Sequence, residues 1–347
     1  MQHLLLNITT MCNARCAFCI VLDVLNKPEH SMSDEEIFST LESARAQGAT
    51  EVGYSGGEPS IHKRIVEVVA RAKELGYTRQ SMNTNGIRFQ DPAFCEAIVA
   101  AGLDCIDFSI HGHTDELHDR EVDRKGAFKA IRRAAENLRA LRGKYSFIMS
   151  AATVITRHNH MHLKEIVDSL EEMGFENKRL KYAYEGNLSY EQVINEVGPY
   201  DEVVPHLLGA IDHLATMRHG FHFTHVPLCL MGDAAVFSYD FTRQPAILAF
   251  KDEVLEGDAS RHFRQDGDAC DACALRHLCT RLDQGYEKYH GRPSGLRPFD
   301  SHDDVAALFA RAKQRYANAR GVIEWTESQY QRNRDVVHTP TVARPRG

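Results

Sequence analysis

Short apolar runs of strand length alternate with longer stretches in which apolar residues recur every three or four positions. HLLLNIT (3–9), EVGYS (51–55), RQSMNTNG (79–86), DCIDFSIHG (104–112), YSFIMSAATVI (145–155) and KRLKYAY (178–184) read as strands, some ending in turns. Between them lie amphipathic segments. SMSDEEIFSTLESARAQGA (31–49) opens on a Ser cap with acidic residues in its first turn and stops at a Gly. IHKRIVEVVARAKELGY (61–77), PAFCEAIVAAGL (92–103) with Pro at its start, GAFKAIRRAAENLRALRGK (126–144) and MHLKEIVDSLEEMGF (161–175) have the same helical period.

Strands that alternate with helices imply right-handed crossovers and a parallel sheet. Six such units ending near residue 190 predict an α/β fold, an incomplete (β/α)6 TIM barrel with its chemistry in the loops after the strand C-termini. The pattern then changes. YDEVVPHLLGAIDHLATMRHG (200–220) predicts a helix ending at Gly220, and FHFTHVPLC (221–229) a strand leading into Cys229. SHDDVAALFARAKQRYANARGVIEW (301–325) predicts one last helix, and the tail 338–347 has no core-forming pattern and is expected to be mobile. The expected division is a barrel core over 1–190, a small C-terminal subdomain over 191–299, and a helix with a tail over 300–347. No internal repeat is visible beyond the β/α units.

With 347 residues, a formal net charge of −7 and 43% hydrophobic residues, the chain suits one large α/β domain with a smaller attachment. Its acidity argues against a nucleic-acid partner, which needs a basic face. No run reaches membrane-span length, and the N-terminus lacks the basic region and apolar core of a signal peptide. A cytoplasmic location is expected, where disulfides are rare.

That location changes the meaning of nine cysteines. Cys12, Cys16 and Cys19 form C-x3-C-x2-C just after the first strand, and Cys270, Cys273 and Cys279 form C-x2-C-x5-C, with Cys229 upstream. Cys95 and Cys105 stand alone and read as small core residues. Tetrahedral zinc needs four ligands, and no fourth Cys or His sits beside the first group, although a remote residue can complete such a site. A 4Fe-4S cubane held by three cysteines leaves one iron open, which is a catalytic signature.

CNARCAFC (12–19), with Phe18 before its last Cys, resembles the cluster loop of the radical S-adenosylmethionine (SAM) superfamily. SGGEP (55–59), NTNG (83–86), SIHG (109–112) and TVITRHN (153–159) follow on successive strand ends in that superfamily's order. The resemblance covers roughly the first 190 residues. It implies a 4Fe-4S cluster on Cys12, Cys16 and Cys19, with SAM at its open iron. For SAM it points to Gly56, Gly57, Glu58 and Pro59 near the methionyl ammonium, and to Asn83 and Asn85 near adenine or ribose. Ser109 and His111 resemble ribose- and carboxylate-contacting positions. Arg124 (or Lys125), Thr156 and Asn159 are further candidates. Gly56 and Gly57 suit close backbone approach to a ligand. His158, His160 and His162 alternate over a loop entering a helix, so convergence on one metal is not expected.

Cys229, Cys270, Cys273 and Cys279 resemble the auxiliary-cluster region of SPASM and twitch radical SAM enzymes. Four cysteines suffice for one auxiliary 4Fe-4S cluster, and the absence of any after Cys279 favours the twitch-like form; a structural zinc would use the same four. The implied activity is reductive cleavage of SAM to a 5′-deoxyadenosyl radical and hydrogen abstraction from a substrate C–H. The electron donor would be of the flavodoxin or ferredoxin type. Oxidation or epimerisation of a small polar metabolite or natural-product intermediate is the first expectation, since the chain opens on the first strand and no fused peptide-binding domain is expected. A maturase acting on a ribosomal peptide is the alternative, and a non-catalytic iron–sulfur electron carrier is the alternative of another class. His111, His113, His118, Glu185 and Asn187 are expected to line a polar pocket. Gly285 and Tyr286 resemble part of a loop that closes the subdomain.

Overall fold

A computed structural model describes residues 2–183, 188–217, 219–242, 246–251, 253–257, 268–282, 286–334 and 342–345. Its centre is one sheet whose first six strands are β1 (Gln2–Thr9), β2 (Ala49–Gly56), β3 (Arg79–Thr84), β4 (Cys105–Ser109), β5 (Ile148–Ile155) and β6 (Asn177–Tyr182). Two more parallel strands follow, β7 (Gly220–Thr224) and β8 (Ala246–Ala249). The order is β8-β1-β2-β3-β4-β5-β6-β7, and the sheet does not close. This is the expected partial barrel, extended at both edges by strands from beyond residue 190. Antiparallel strands β9 (Glu253–Gly257) and β10 (Val342–Pro345) continue the β8 edge. The chain's last segment therefore contributes a strand to the sheet.

One face of the sheet packs on helices α1 (Asp34–Ala46), α2 (Ile65–Glu74), α3 (Pro92–Ala101), α4 (Asp115–Glu121), α5 (Ala127–Leu141) and α6 (Leu163–Met173). Leu4, Leu6, Ile8, Val52, Met82, Ile106 and Phe108 are fully buried on it. Local chemistry sets the helix starts. Ser33 and Glu36 form a capping box at α1, and Asp91 caps α3 ahead of Pro92. Lys178 is buried on this face and donates to the Glu171 carboxylate at 2.5 Å and the Phe175 carbonyl at 2.8 Å. A buried ammonium survives only with such partners. Cys95 donates to the Phe89 carbonyl and Cys105 opens β4; both are buried, as read from the sequence.

Two expectations need correction. The helix over 200–220 ends earlier: α7 (Tyr190–Glu196) precedes α8 (Tyr200–Leu214), and Gly220 begins β7 instead of stopping a helix. Pairing of Gly220 with Asn177 recruits it to the sheet. The helix over 301–325 is two. After α9 (Asp268–Asp271) and α10 (Tyr286–His290) come α11 (His302–Arg315) and α12 (Arg320–Asn333), broken at Tyr316–Ala319. The break folds α12 back, so that Tyr330 stacks on Phe309 at 5.8 Å and its hydroxyl lies 2.5 Å from His302 Nδ1. Among the described residues no helix is long and apolar enough to cross a membrane.

Candidate functional site

The cysteine loop leaves the C-terminal end of β1 and is held from both sides. Arg15 N–H donates to the Val122 carbonyl at 3.0 Å, and Asn26 Oδ1 accepts from Cys12 N–H at 2.9 Å. Ala14 N–H lies 3.4 Å from Cys12 Sγ, and Asn85 Nδ2 lies 3.9 Å from the same sulfur. Such N–H···S contacts are what cluster thiolates receive. Burial pushes all three thiols up, and on Cys16 the charges of Cys19 and Cys12 add to that shift. Three thiols within electrostatic reach on one loop are the donor set the cluster needs, and iron displaces their protons. Among the described residues no three His, Cys, Asp or Glu side chains converge to hold a single metal ion. Cubane ligands need not do so, since each binds a different iron.

The Gly-Gly-Glu-Pro turn is packed against the cysteine loop. A Cβ on Gly57 would strike the Met11 carbonyl, and one on Gly56 the Thr9 carbonyl. Gly57 N–H donates to Thr9 O at 2.6 Å and Glu58 N–H to Met11 O at 2.8 Å. The glycines thus let β2 approach the backbone of the cysteine loop; the close partner is the chain itself. Glu58 is also committed. Fully buried, its carboxylate accepts from Ser60 N–H at 3.0 Å, Thr84 Oγ1 at 2.6 Å and Asn85 N–H at 2.6 Å. Burial pushes its carboxyl up, and the three donors pull it back without cancelling the shift. It ties the turn after β2 to the turn after β3. Pro59 is buried at the start of the short helix beyond. Asn85 carries the tie onward, its Nδ2 donating to Asn13 Oδ1 at 2.7 Å.

His111 is buried after β4, edge-on to Phe18 at 4.8 Å. Its Nδ1 accepts from Val154 N–H at 3.1 Å, so the neutral ring carries its proton on Nε2. Burial holds it well below the ordinary histidine range. His118 Nδ1 accepts from His111 N–H at 3.1 Å, and burial depresses His118 to about 4. Those two rings stack at 5.8 Å and brace the strand exit, so His118 is packing and not pocket lining. Asn159 is similarly occupied. Its Nδ2 donates to His111 O and Val154 O, and its Oδ1 accepts from Thr156 N–H, leaving it and Thr156 fully buried. Ser109 ends β4 half-buried, while Arg124 and Lys125 are exposed in the turn between α4 and α5. His158 and His160 make local contacts, to Arg120 and to the Arg157 carbonyl. His113 and His162 lie with rings 5.3 Å apart. Glu185, Asn187 and Gly285 lie outside the described residues.

A polar inner wall escaped sequence reasoning. Strand register places Asn83 beside Asp107, and Arg179 beside His222, with Lys181 beside Thr224. Arg179 pairs with Asp107 and reaches Asn83 Oδ1 at 3.4 Å. The signal was present in KRLKYAY, where Arg179 and Lys181 alternate with Leu180 and Tyr182.

In the C-terminal region Cys229, Cys270, Cys273 and Cys279 line one hollow with Leu228 and Phe299. Leu228 N–H and Arg281 N–H lie 3.4 and 3.2 Å from Cys279 Sγ, and Leu275 N–H lies 3.4 Å from Cys273 Sγ. Burial pushes Cys229 up to about 11, with the charges of Cys270 and Cys273 adding. These thiols therefore fit a cluster by shared hollow and by N–H···S contacts.

A model of the radical SAM superfamily matches residues 6–170. Residues 6–170 are a radical SAM domain. The superfamily uses a 4Fe-4S cluster and SAM. A probable GTP 3′,8-cyclase of Saccharolobus islandicus is 34% identical over 116 residues, 33% of this chain and 37% of that one. One from Saccharolobus solfataricus is 35% identical over 111 residues, 32% and 35% of the two chains. The matched segment thus spans little more than a third of these curated relatives. SuiB of Streptococcus suis bound to S-adenosylmethionine superposes with a TM-score of 0.61 at 13% identity, covering 82% of this chain and 76% of that one. Native anSMEcpe with bound AdoMet and Kp18Cys peptide gives 0.58 at 14%, covering 92% and 99%. At these identities the shared property is the radical SAM fold.

Proposed function

We propose that this chain is a radical SAM enzyme whose Cys12, Cys16 and Cys19 hold a 4Fe-4S cluster with SAM at its open iron. The observation that carries the reading is the clasp around the cysteine loop. Gly57 and Glu58 bond to the loop's backbone, and Glu58 and Asn85 lock the next turn onto it. When bound, the cluster and SAM supply a 5′-deoxyadenosyl radical that removes hydrogen from a substrate C–H. The chain's own residues fix where that happens. Phe18 packs the loop onto the His111 ring, so the loop and the exit of β4 move as one. The Gly56 and Gly57 contacts set the loop's height over the sheet, and the polar inner wall gives the substrate its seat.

Cys229, Cys270, Cys273 and Cys279 hold an auxiliary 4Fe-4S cluster in this reading, placed to exchange an electron with the substrate. The substrate is a small polar metabolite that is oxidised or epimerised. Its support is the wall of Asn83, Asp107, Arg179, Lys181 and Thr224, which suits a compact polar molecule better than an apolar side chain. The second reading, a peptide maturase, takes support from the peptide complexes of SuiB and anSMEcpe.

The test is anaerobic reconstitution of wild type and of a Cys12/Cys16/Cys19→Ala variant, with iron counts and 5′-deoxyadenosine assayed after dithionite and SAM. About eight irons should fall to about four in the variant, with deoxyadenosine from wild type alone. Four irons in wild type with bound zinc would remove the auxiliary cluster and its electron-transfer role. Deoxyadenosine absent from wild type would leave an iron–sulfur carrier.

A further inference from the structure

The inner face of the sheet is unlike a filled barrel core, where layers of branched side chains meet. At mid-height it carries Asn83 of β3, Asp107 and Ser109 of β4, Arg179 and Lys181 of β6, and His222 and Thr224 of β7. Three buried polar atoms on these neighbouring strands have no partner among the described residues: Asp107 Oδ1, Arg179 Nε and Thr224 Oγ1. The Lys181 ammonium forms no hydrogen bond or ion pair with any described residue, while Arg179 spends one side on Asp107 and Asn83. Buried polar atoms in native proteins are nearly all paired, so orphans gathered on one wall mark a missing polar group. Arg179 and Lys181 stand against one carboxylate there, and burial, with the Arg179 charge, pushes Lys181 down to about 7, so that it is fully charged only beside an anion or in mild acid. The missing group is therefore negative and offers acceptors.

We infer that Arg179, Lys181 and Thr224 take an anionic oxygen group of the substrate, a carboxylate or a phosphate, with Asp107 holding Arg179 in place. Resting on the radical SAM reading above, this narrows the substrate to an acid or a phosphate ester. Arg179 offers Nε, Lys181 its ammonium and Thr224 its hydroxyl, all donors to oxygen. His222 stacks on Tyr239 at 5.2 Å and closes the side of the wall. Lys181 lies within electrostatic reach of His111, whose ring touches Phe18 of the cysteine loop, so the anchored anion faces the cluster end of the barrel. SAM carries a carboxylate of its own. The strand order favours the substrate: the SAM candidates lie on β3 and β4 and in the turns after β2 to β5, whereas the three donors Arg179, Lys181 and Thr224 belong to β6 and β7.

The probes are inorganic phosphate and acetate, titrated calorimetrically into reconstituted, SAM-loaded protein at low salt and slightly acidic pH. Wild type should bind at least one of them saturably. Lys181→Met should weaken that binding about tenfold or more, as loss of a charge-assisted contact does. Thr224→Val should weaken it about threefold, and it tests the site even if the lysine variant misfolds. Lys129→Met, an exposed cation on α5, controls for general electrostatics and should change nothing. No saturable binding by wild type, or equal losses in the Lys181 and Lys129 variants, overturns the site. SAM affinity on the same proteins separates the two sources. A tenfold loss in Lys181→Met, with decarboxylated SAM indifferent to the change, would assign the cation to SAM and overturn the substrate assignment. Deoxyadenosine formation by wild type is scored separately. Its absence would sink the radical SAM reading, whereas the anion titration judges the wall alone.

Discussion

His118 shows how a residue singled out for chemistry can be serving the fold. Its ring is buried against His111 and Phe128 and must stay neutral to accept the His111 N–H. Burial holds it at about 4, well below the ordinary 6.5 of an unfolded histidine. The unfolded chain thus binds a proton between those values and the folded one does not, so stability rises with pH across that window. It is fully present above about pH 6.5 and lost as pH falls toward 4, with His118 contributing on the order of 3 kcal/mol. His3, His62 and His111 are depressed by burial too, and add in the same direction. Chemical unfolding from neutral to mildly acidic pH should show this slope, and His118→Gln should flatten it. An unchanged slope in the variant would mean that the His118 ring titrates normally. Spacing in SIHG and DELH cannot reveal this role, because a buried neutral histidine and a ligand-binding one share the same alternation.

At the scale of elements, the strands β1 to β6 were legible because each is a strand-length apolar run bounded by a turn or cap. β7 was read too, though as the longer run 221–229 instead of Gly220–Thr224; β8 was not, being four residues long and recruited by pairing with β1. The break between α11 and α12 was hidden for a related reason. No proline marks it, and it is driven by tertiary contact of Tyr330 with Phe309 and His302. The turn after β2 was visible as a motif, yet its purpose was not. Two glycines read equally well as room for a ligand or room for backbone, and here the backbone of Thr9 and Met11 fills the space. Gly57→Ala makes the difference measurable. Its Cβ has nowhere to go without lifting the cysteine loop. The variant should keep its far-ultraviolet circular dichroism and lose about half its iron, the portion held by Cys12, Cys16 and Cys19. Full iron with weakened SAM binding would return the glycines to the ligand.

On the scale of the whole molecule the question is how the two cysteine groups are held in one frame. A ladder of tyrosines ties the end of β6 to the C-terminal region that carries the second group. Tyr182 ends β6 and stacks on Tyr200 of α8 at 4.3 Å; Tyr200 stacks on Tyr286 of α10 at 4.5 Å. Polar tips lock the stack: Tyr182 donates to the Gly198 carbonyl at 2.6 Å, Tyr200 N–H to the Tyr286 hydroxyl at 2.7 Å, and Tyr200 to the His225 carbonyl at 3.1 Å. His225 directly follows β7 and sits at φ +65, turning the chain toward Cys229. Leu228 N–H then meets Cys279 Sγ. The wall of the inner face and the auxiliary cysteines are therefore joined through a few residues around one aromatic stack. Tyr200→Leu removes two ring contacts and the hydroxyl that donates to the His225 carbonyl, while its backbone N–H still reaches Tyr286, a cost of about 3 kcal/mol concentrated on this joint. The radical SAM domain does not need that joint to hold its own loop. Reconstituted Tyr200→Leu should retain about four irons and lose about four, while still releasing 5′-deoxyadenosine from SAM. Eight irons in the variant would show that the C-terminal cysteines organise their cluster without the stack, and zero would show that the two halves fold only together.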